Sequence, residues 1–441
     1  MNVAGSNTSK HSDSYSNPAY RLYVLCILTL VYVFNFLDRQ LLVILQEPIK
    51  LEMGLSDTQL GLLSGLAFAT VYVIFGLPLA QLAERWSRRS VISASLAVWS
   101  GMTALTGLVS NYTQMLVARA AVGIGEAGGS PPAHSILSDV FPLSHRATAL
   151  AFYSTGINIG ILLGFLLGGW MNEYFGWRKA FIIVGLPGIA LALIVRFTVA
   201  EPRKGISEGL ASVGKAPAFF DTLRLLLKKP SFRHLALATG LQSFVGYGLI
   251  NWLPSFMIRT HGMGTGELGT WLALSAGLAG AIGTFLGGMV ADRLGRQDLR
   301  YYLLIPAVSL ALVIPLVYLV LYLDNPTYAL SVNVLPSFLQ TMYLGPALAL
   351  THSLVGASAK AVGSAVLFFI LNLVGLGFGP LTIGFVSDLL APAYGSRSIG
   401  IAMIGVVTIV GTWAVTHYIL AARNLREDIA AVAGESAGQK L

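Results

Sequence analysis

The chain has 441 residues, of which 55% are hydrophobic and only 11% charged, with a mean hydropathy of +0.71. Soluble domains carry about 25% charged residues, so the composition excludes an ordinary water-soluble globule and makes lipid the main solvent. The net charge of +8 does not indicate a nucleic-acid binder, because the basic residues fall mainly in one alternating set of loops.

The opening stretch, residues 1–19, is polar and rich in Ser and Asn, and reads as a disordered cytoplasmic tail without a cleavable signal peptide. A membrane-crossing helix needs about 20 mostly apolar residues. Six such spans follow, at Tyr20–Leu45, Gln59–Leu82, Ser90–Val109, Gln114–Leu137, Thr148–Tyr174 and Ala180–Val199. A polar linker at 201–231 separates them from six more, at Phe232–Met257, Leu268–Val290, Tyr301–Leu323, Tyr328–Leu350, Val362–Leu389 and Ile399–Leu420. Within the linker, Phe219, Phe220, Leu223, Leu226 and Leu227 share one helical face, the pattern of a helix lying on the membrane surface. Cys26, the single cysteine, excludes an intrachain disulfide.

The expected fold is therefore an all-α membrane protein with twelve transmembrane helices in two pseudo-symmetric six-helix bundles. The N-terminal bundle spans 20–200, the C-terminal bundle 232–421, and a tail covers 422–441. With the N-terminus inside, 21 Lys and Arg fall in cytoplasmic segments and five outside, which predicts cytoplasmic termini.

An internal repeat supports two related halves. After the second span stands Ala80-x-x-x-Glu84-Arg85-x-Ser87-Arg88-Arg89, and after the eighth Gly288-x-x-x-Asp292-Arg293-x-Gly295-Arg296, with the acids 208 residues apart. Parallel repeats place a substrate site between halves near the midplane. The second copy resembles the loop motif of the major facilitator superfamily up to Gln297, whereas the first departs from it at Ala80, Glu84 and Ser87. A small residue permits close helix approach, and an acid suits a neighbouring helix N-terminus. Glu84, Arg85, Arg88, Arg89, Asp292, Arg293 and Arg296 are accordingly candidate gating residues.

Ionisable groups inside a membrane are costly, so Asp38 and Arg39 in the first span and Arg119 and Glu126 in the fourth call for a function. In Arg119-x-x-x-Gly123-x-Gly125-Glu126, the spacing puts both charges on one face about 10 Å apart along the axis, beyond direct pairing along the backbone. Each can instead meet another helix. Asp38 and Arg39 leave their helix about 100° apart. The alternatives are a static ion-pair network and a titratable one. Burial favours a neutral carboxyl and a close arginine its anion, so a carboxylate that changes partner with conformation carries protons.

The fourth-span pattern resembles the superfamily's Arg-x-x-x-Gly-x-Gly signature, associated with proton coupling. Asn35-x-x-Asp38-Arg39 together with Gly123-x-Gly125-Glu126-Ala127 resembles the Spinster family, whose members and bacterial relatives are proposed to move lysolipids, sphingoid lipids and other amphipathic organic anions. By that resemblance Asp38, Arg39, Arg119 and Glu126 are the coupling and binding positions. Candidate cavity residues are Asn35, Tyr153, Asn158, Tyr247, Asn251, Trp252, Gln340, Tyr343 and Asn372.

Three further features qualify this reading. The fifth span carries Gly156, Gly160, Gly164, Gly168 and Gly169, a stripe suited to close packing, without the Gly-Pro pair of the superfamily's exporter motif. Gly375, Gly377, Gly379 and Pro380 are its counterpart in the eleventh span, and Pro131-Pro132 breaks the fourth. No nucleotide loop, metal-ligand cluster or nucleophile–base set is evident.

The sequence thus predicts a non-enzymatic, monomeric, proton-coupled secondary transporter of the plasma or inner membrane. It would need no cofactor or metal and would move an amphipathic organic or lipid-like, anionic solute by alternating access. A multidrug or organic-anion or sugar-acid facilitator of the same fold, a membrane-embedded lipid-modifying enzyme and a transport-dead sensor are the alternatives.

Overall fold

The computed structural model describes residues 13–202, 219–355 and 359–438, and these are helical with no strand among them. The first unit contains α1 (Pro18–Met53), α3 (Ala67–Arg85), α4 (Arg88–Thr106), α5 (Tyr112–Ala127), α6 (Ser130–Val140), α7 (Leu143–Phe175) and α8 (Trp177–Thr198). It also takes in Thr265–Ala273, which includes α11 (Thr265–Leu272). The second unit contains α2 (Asp57–Gly61), α9 (Phe219–Leu227), α10 (Pro230–His261), α12 (Gly280–Gly295), α13 (Tyr301–Tyr322), α14 (Pro326–Gln340), α15 (Leu344–Ser353), α16 (Lys360–Ile370), α17 (Gly379–Tyr394) and α18 (Ser398–Gly438).

Among the described residues, seven helical runs are long and apolar enough to cross a membrane. One of them, Val362–Ala430, has 69 residues, about 100 Å of helix and enough for two crossings. Several expected spans are interrupted for identifiable reasons. The fourth divides into α5 and α6 at Gly128-Gly129, just before Pro131-Pro132, because proline removes a helix hydrogen bond. The second and eighth contain π-helical turns at Leu62–Leu66 and Ala273–Ala279, and the eleventh one at Leu371–Phe378, which holds Gly375 and Gly377. The first two of these turns lie at boundaries between units: Ser56–Leu66 belongs to the second unit although Ala67–Arg85 belongs to the first.

In the first unit the glycine stripe of α7 lies directly on α1. A Cβ at Gly160 would stand 2.5 Å from the Val33 carbonyl oxygen and 2.7 Å from the Phe36 Cβ, and one at Gly164 would stand 2.7 Å from the Gln40 Cβ. Only glycine permits this approach, so the stripe is a packing surface. On α5, Gly123 admits Val71 and Phe68 of α3, and Gly125 admits Trp99 of α4. The same signature that suggested coupling therefore draws α3 and α4 onto the fourth span.

The amphipathic pattern in the linker corresponds to α9, where Leu226 is buried, Phe220 exposed, and Phe219 meets Phe369 at 5.8 Å between ring centroids. The linker stretch 203–218 lies outside the described residues, as does most of the N-terminal tail. Residues 13–19 of that tail are not featureless: a 3₁₀ turn at Asp13–Ser16 precedes α1, and Tyr15 is buried with its hydroxyl donating to the Ala200 carbonyl.

Candidate functional site

The four membrane charges pair across helices as two separate bridges. Arg119 donates from Nη1 to Asp38 Oδ2 at 2.9 Å, and Thr103 of α4 donates its hydroxyl to Asp38 Oδ1 at 2.6 Å. Arg39 donates from Nε to Glu126 Oε2 at 2.7 Å. Adjacent residues on α1 thus reach two residues of α5 seven positions apart, which resolves why neither Asp38–Arg39 nor Arg119–Glu126 pairs along its own helix. Asp38 and Arg119 are each 2% exposed and Glu126 is fully buried, whereas the Arg39 side chain keeps 11% exposure. Arg39 is the member of the set that meets solvent.

Aromatic rings finish the enclosure. The Arg39 guanidinium lies 4.9 Å from the Phe36 ring centroid, 4.8 Å from Phe68 and 5.2 Å from Tyr72, while Arg119 lies 5.5 Å from Phe68. Such contacts partly replace the hydration a guanidinium loses. Gly123 is what brings Phe68 close enough to cover both cations. Buried polar capacity nevertheless remains open at Glu126 Oε1, Arg119 Nε and Asn35 Oδ1, which have no hydrogen-bond partner. Buried polar atoms are normally satisfied, so this set is under-satisfied for a purely structural network.

Other candidate cavity residues separate into exposed and enclosed groups. Asn158 and Tyr247 are half-buried. Tyr153 is 1% exposed and stacks on Tyr32 at 4.5 Å with an interplanar angle of 6°. In the second unit, Trp252 is fully buried and donates its indole N–H to the Pro380 carbonyl at 2.7 Å, so it presents no surface to a cavity in this state. Asn251 is buried and accepts from Ser64 at 3.0 Å. Gln340 donates to the Gln242 carbonyl at 2.7 Å, and Tyr418 donates to Gln242 Oε1 at 2.6 Å. Tyr343 is half-buried, and Asn372 turns back to the Phe368 carbonyl at 2.9 Å.

The two loop motifs do different things. Arg88 is 1% exposed and bound entirely within the first unit: to Glu201 at 2.9 Å, Ser135 at 2.9 Å, the Pro202 carbonyl at 2.8 Å, and Asp139. Glu201 also accepts from Ser87 at 2.8 Å and from the Arg89 backbone N–H at 2.9 Å, placing a carboxylate at the α4 N-terminus where the dipole favours it. Arg89 itself donates to the Val199 carbonyl at 3.1 Å. Glu84 and Arg85 are exposed and line a cavity of about 260 Å³ with Pro131 and Pro132. In the second copy Asp292, Arg293 and Arg296 are exposed, and Asp292 accepts from Tyr302 at 2.8 Å. The nearby Asp298 binds Arg300 at 2.7 Å and Arg426 at 2.9 Å, and hydrogen bonding from Arg300 holds its carboxyl well below the usual range.

A cluster in the second unit carries no sequence motif. Arg259 grips Asp57 with two hydrogen bonds of 2.7 Å, and Ser387 donates to the same carboxylate at 2.7 Å. Asp388 caps α2, accepting from the Asp57 and Thr58 backbone N–H groups at 3.0 and 2.7 Å. The signal was available in Asp57 at a helix start, but its partner is about 200 positions away in sequence.

Among the described residues, apolar helical runs of membrane length, with paired charges buried between helices, are those of a membrane protein. The chain belongs to the Major Facilitator Superfamily, whose family model matches residues 28–380. It is 32% identical over 423 residues, 95% of this chain and 96% of the relative, to an MFS-type efflux pump of Mycolicibacterium smegmatis. It is 27% identical over 392 residues, 85% of this chain and 90% of the relative, to the cis,cis-muconate transport protein of Acinetobacter baylyi. Among solved structures it superposes with a TM-score of 0.84 and 30% identity on a bacterial homolog of the human lysosomal transporter Spinster, in an inward-facing and unoccupied conformation. That match covers 93% of this chain and 99% of the other, and the likeness to Spinster stands on it.

Proposed function

We propose that this chain is a proton-coupled secondary transporter that moves an amphipathic, acidic solute across the plasma or inner membrane by alternating access. The observation that carries the reading is the pair of buried bridges, Asp38–Arg119 and Arg39–Glu126, with open polar atoms beside them. A buried carboxylate whose guanidinium partner moves away favours its neutral form and takes up a proton; return of the partner releases it. Asp38 and Glu126 are the proton carriers, Arg119 tunes the first, and Arg39, partly exposed, exchanges Glu126 for the acidic group of the solute. That exchange links solute binding to protonation without any covalent step.

In this reading twelve spans form two bundles, 20–200 and 232–421, with both termini cytoplasmic and the monomer as the working unit. The exposed motif residues Glu84, Arg85, Asp292, Arg293 and Arg296 act in gating, while Arg88 and Arg89 brace the first unit. The muconate transport protein among the relatives favours a small organic acid as the second choice of solute over a lipid. Uptake into proteoliposomes under an imposed pH gradient, screened over lysolipids, organic acids and cationic amphiphiles, tests the proposal. Gradient-dependent accumulation of an acidic solute is expected; flux of cationic amphiphiles alone, or chemical conversion of a lipid, contradicts it.

A further inference from the structure

His134 is an ionisable residue at the end of the expected fourth span that the charge network does not use. It lies on α6, one turn beyond the Pro131-Pro132 break. The packed face of that helix is Ala133, Ile136, Leu137 and Val140, all buried, whereas His134 is exposed. Its ring nitrogens have no hydrogen-bond partner among the described residues, and its contact is edge-on to the Tyr153 ring, with centroids 5.1 Å apart and planes at 89°. An unpaired imidazole facing hydrocarbon would be costly, so this face meets water or a ligand.

The contact with Tyr153 is the first step of a continuous aromatic column. Tyr153 stacks on Tyr32 at 4.5 Å, Tyr32 meets Phe36 edge-on at 5.3 Å, and the Phe36 ring carries the Arg39 guanidinium at 4.9 Å. Tyr32, Phe36 and Arg39 are spaced four and three residues apart, so they form one stripe on α1. The α7 glycines hold Tyr153 against that stripe: a Cβ at Gly156 would come within 3.1 Å of the Tyr32 Cβ. The column therefore has an imidazole without a hydrogen-bond partner among the described residues at one end and the partly exposed arginine at the other, with the enclosed Tyr153 ring and the half-buried Tyr32 and Phe36 rings between them.

We infer that His134 is a second polar contact for the transported solute and sets its specificity, the aromatic column receiving the solute's apolar body. The solute class is an organic acid with a hydrophobic or unsaturated body and a further polar group beyond the acid held by Arg39. This deepens the transport proposal and rests on it.

The test uses the full chain in nanodiscs and proteoliposomes, with cis,cis-muconate and 4-phenylbutyrate as probes, the second lacking a second polar group. His134→Phe keeps an aromatic edge on Tyr153 but loses the N–H; His134→Asn keeps a donor. Loss of one hydrogen bond to a charged group predicts about tenfold weaker muconate binding for His134→Phe, with 4-phenylbutyrate affinity nearly unchanged and His134→Asn in between. Thermal unfolding of each variant should match wild type. A cysteine at position 134, in a Cys26→Ser background, should be protected from maleimide by muconate. Unchanged muconate affinity in both variants, or no protection at position 134, overturns the inference while leaving proton-driven accumulation intact. If wild type accumulates neither probe under a pH gradient, the solute class fails as well.

Discussion

Removing one member of the Asp38–Arg119 bridge should damage the protein more than removing both. Asp38 and Arg119 are nearly inaccessible, 2.9 Å apart, and embedded among apolar helices. Arg119→Ala strands a carboxylate at a site with one remaining donor, the Thr103 hydroxyl, and an uncompensated buried charge costs about 3–5 kcal/mol. Asp38→Leu/Arg119→Met removes both charges at similar volume, and the Thr103 hydroxyl, released from Asp38, can donate to the Trp99 carbonyl 2.9 Å away. Stability should therefore return to within about 1–2 kcal/mol of wild type, since hydrophobic replacement of a buried pair is often neutral. Thermal unfolding in nanodiscs, followed by tryptophan fluorescence, reads the whole cycle. The same cycle for Asp38 with Glu126, which share no direct bond, should show much smaller coupling. If Arg119→Ala unfolds like wild type, or the double variant is worse than the single, the bridge is not buried and exclusive as described.

Three further outcomes follow from other parts of the molecule. Glu201→Gln withdraws a carboxylate that accepts from Ser87, Arg88 and the Arg89 backbone, and should lower stability by about 1–3 kcal/mol; an unchanged melting temperature would mean Asp139, Ser135 and the Pro202 carbonyl suffice to hold Arg88. Gly160→Leu drives a side chain into the Val33 carbonyl and Phe36; it should cost at least about 1–3 kcal/mol as overpacking and impair transport, with Gly76→Ala, where nothing lies within 4 Å, as the tolerated control. Asp298 has its carboxyl held below the usual range by Arg300, so its contribution is complete above the ordinary carboxylate pKa of about 4 and is lost as pH falls through the depressed folded value. The small stability difference between wild type and Asp298→Asn should hold from neutral pH to about 4 and shrink below it; a difference that grows on acidification contradicts the assignment.

Much of the site was legible because lipid makes charge informative. Asp38, Arg39, Arg119 and Glu126 stood out as ionisable residues in apolar spans, and the seven-residue spacing on α5 already implied partners on another helix. Which acid meets which arginine was not legible, because adjacent residues on α1 leave in different directions and only helix packing selects the match. The glycine stripe announced a close contact but not that α1 was its partner. An indole in an apolar span suggests a cavity wall, and the sequence does not disclose that the Trp252 N–H bonds the Pro380 carbonyl. Arg88 was read as a candidate gating residue, but its partners Asp139 and Glu201 come from the ends of helices that no local pattern connects. His134 carried no motif at all; its exposure and its place at the end of the aromatic column exist only in three dimensions.

Transport coupling, as proposed, rests on Asp38 as the carrier of the proton. Asp38→Asn mimics the protonated acid, a form that the proposed cycle itself passes through with the Arg119 charge unbalanced, and it keeps one oxygen to accept from Thr103 or Arg119; its melting temperature and solute affinity are read beside transport. In proteoliposomes with an imposed pH gradient, wild type should concentrate the acidic solute in proportion to the gradient, while Asp38→Asn should equilibrate it without accumulation. Gradient-proportional accumulation by Asp38→Asn would contradict the account and leave the two bridges as static supports of the first unit.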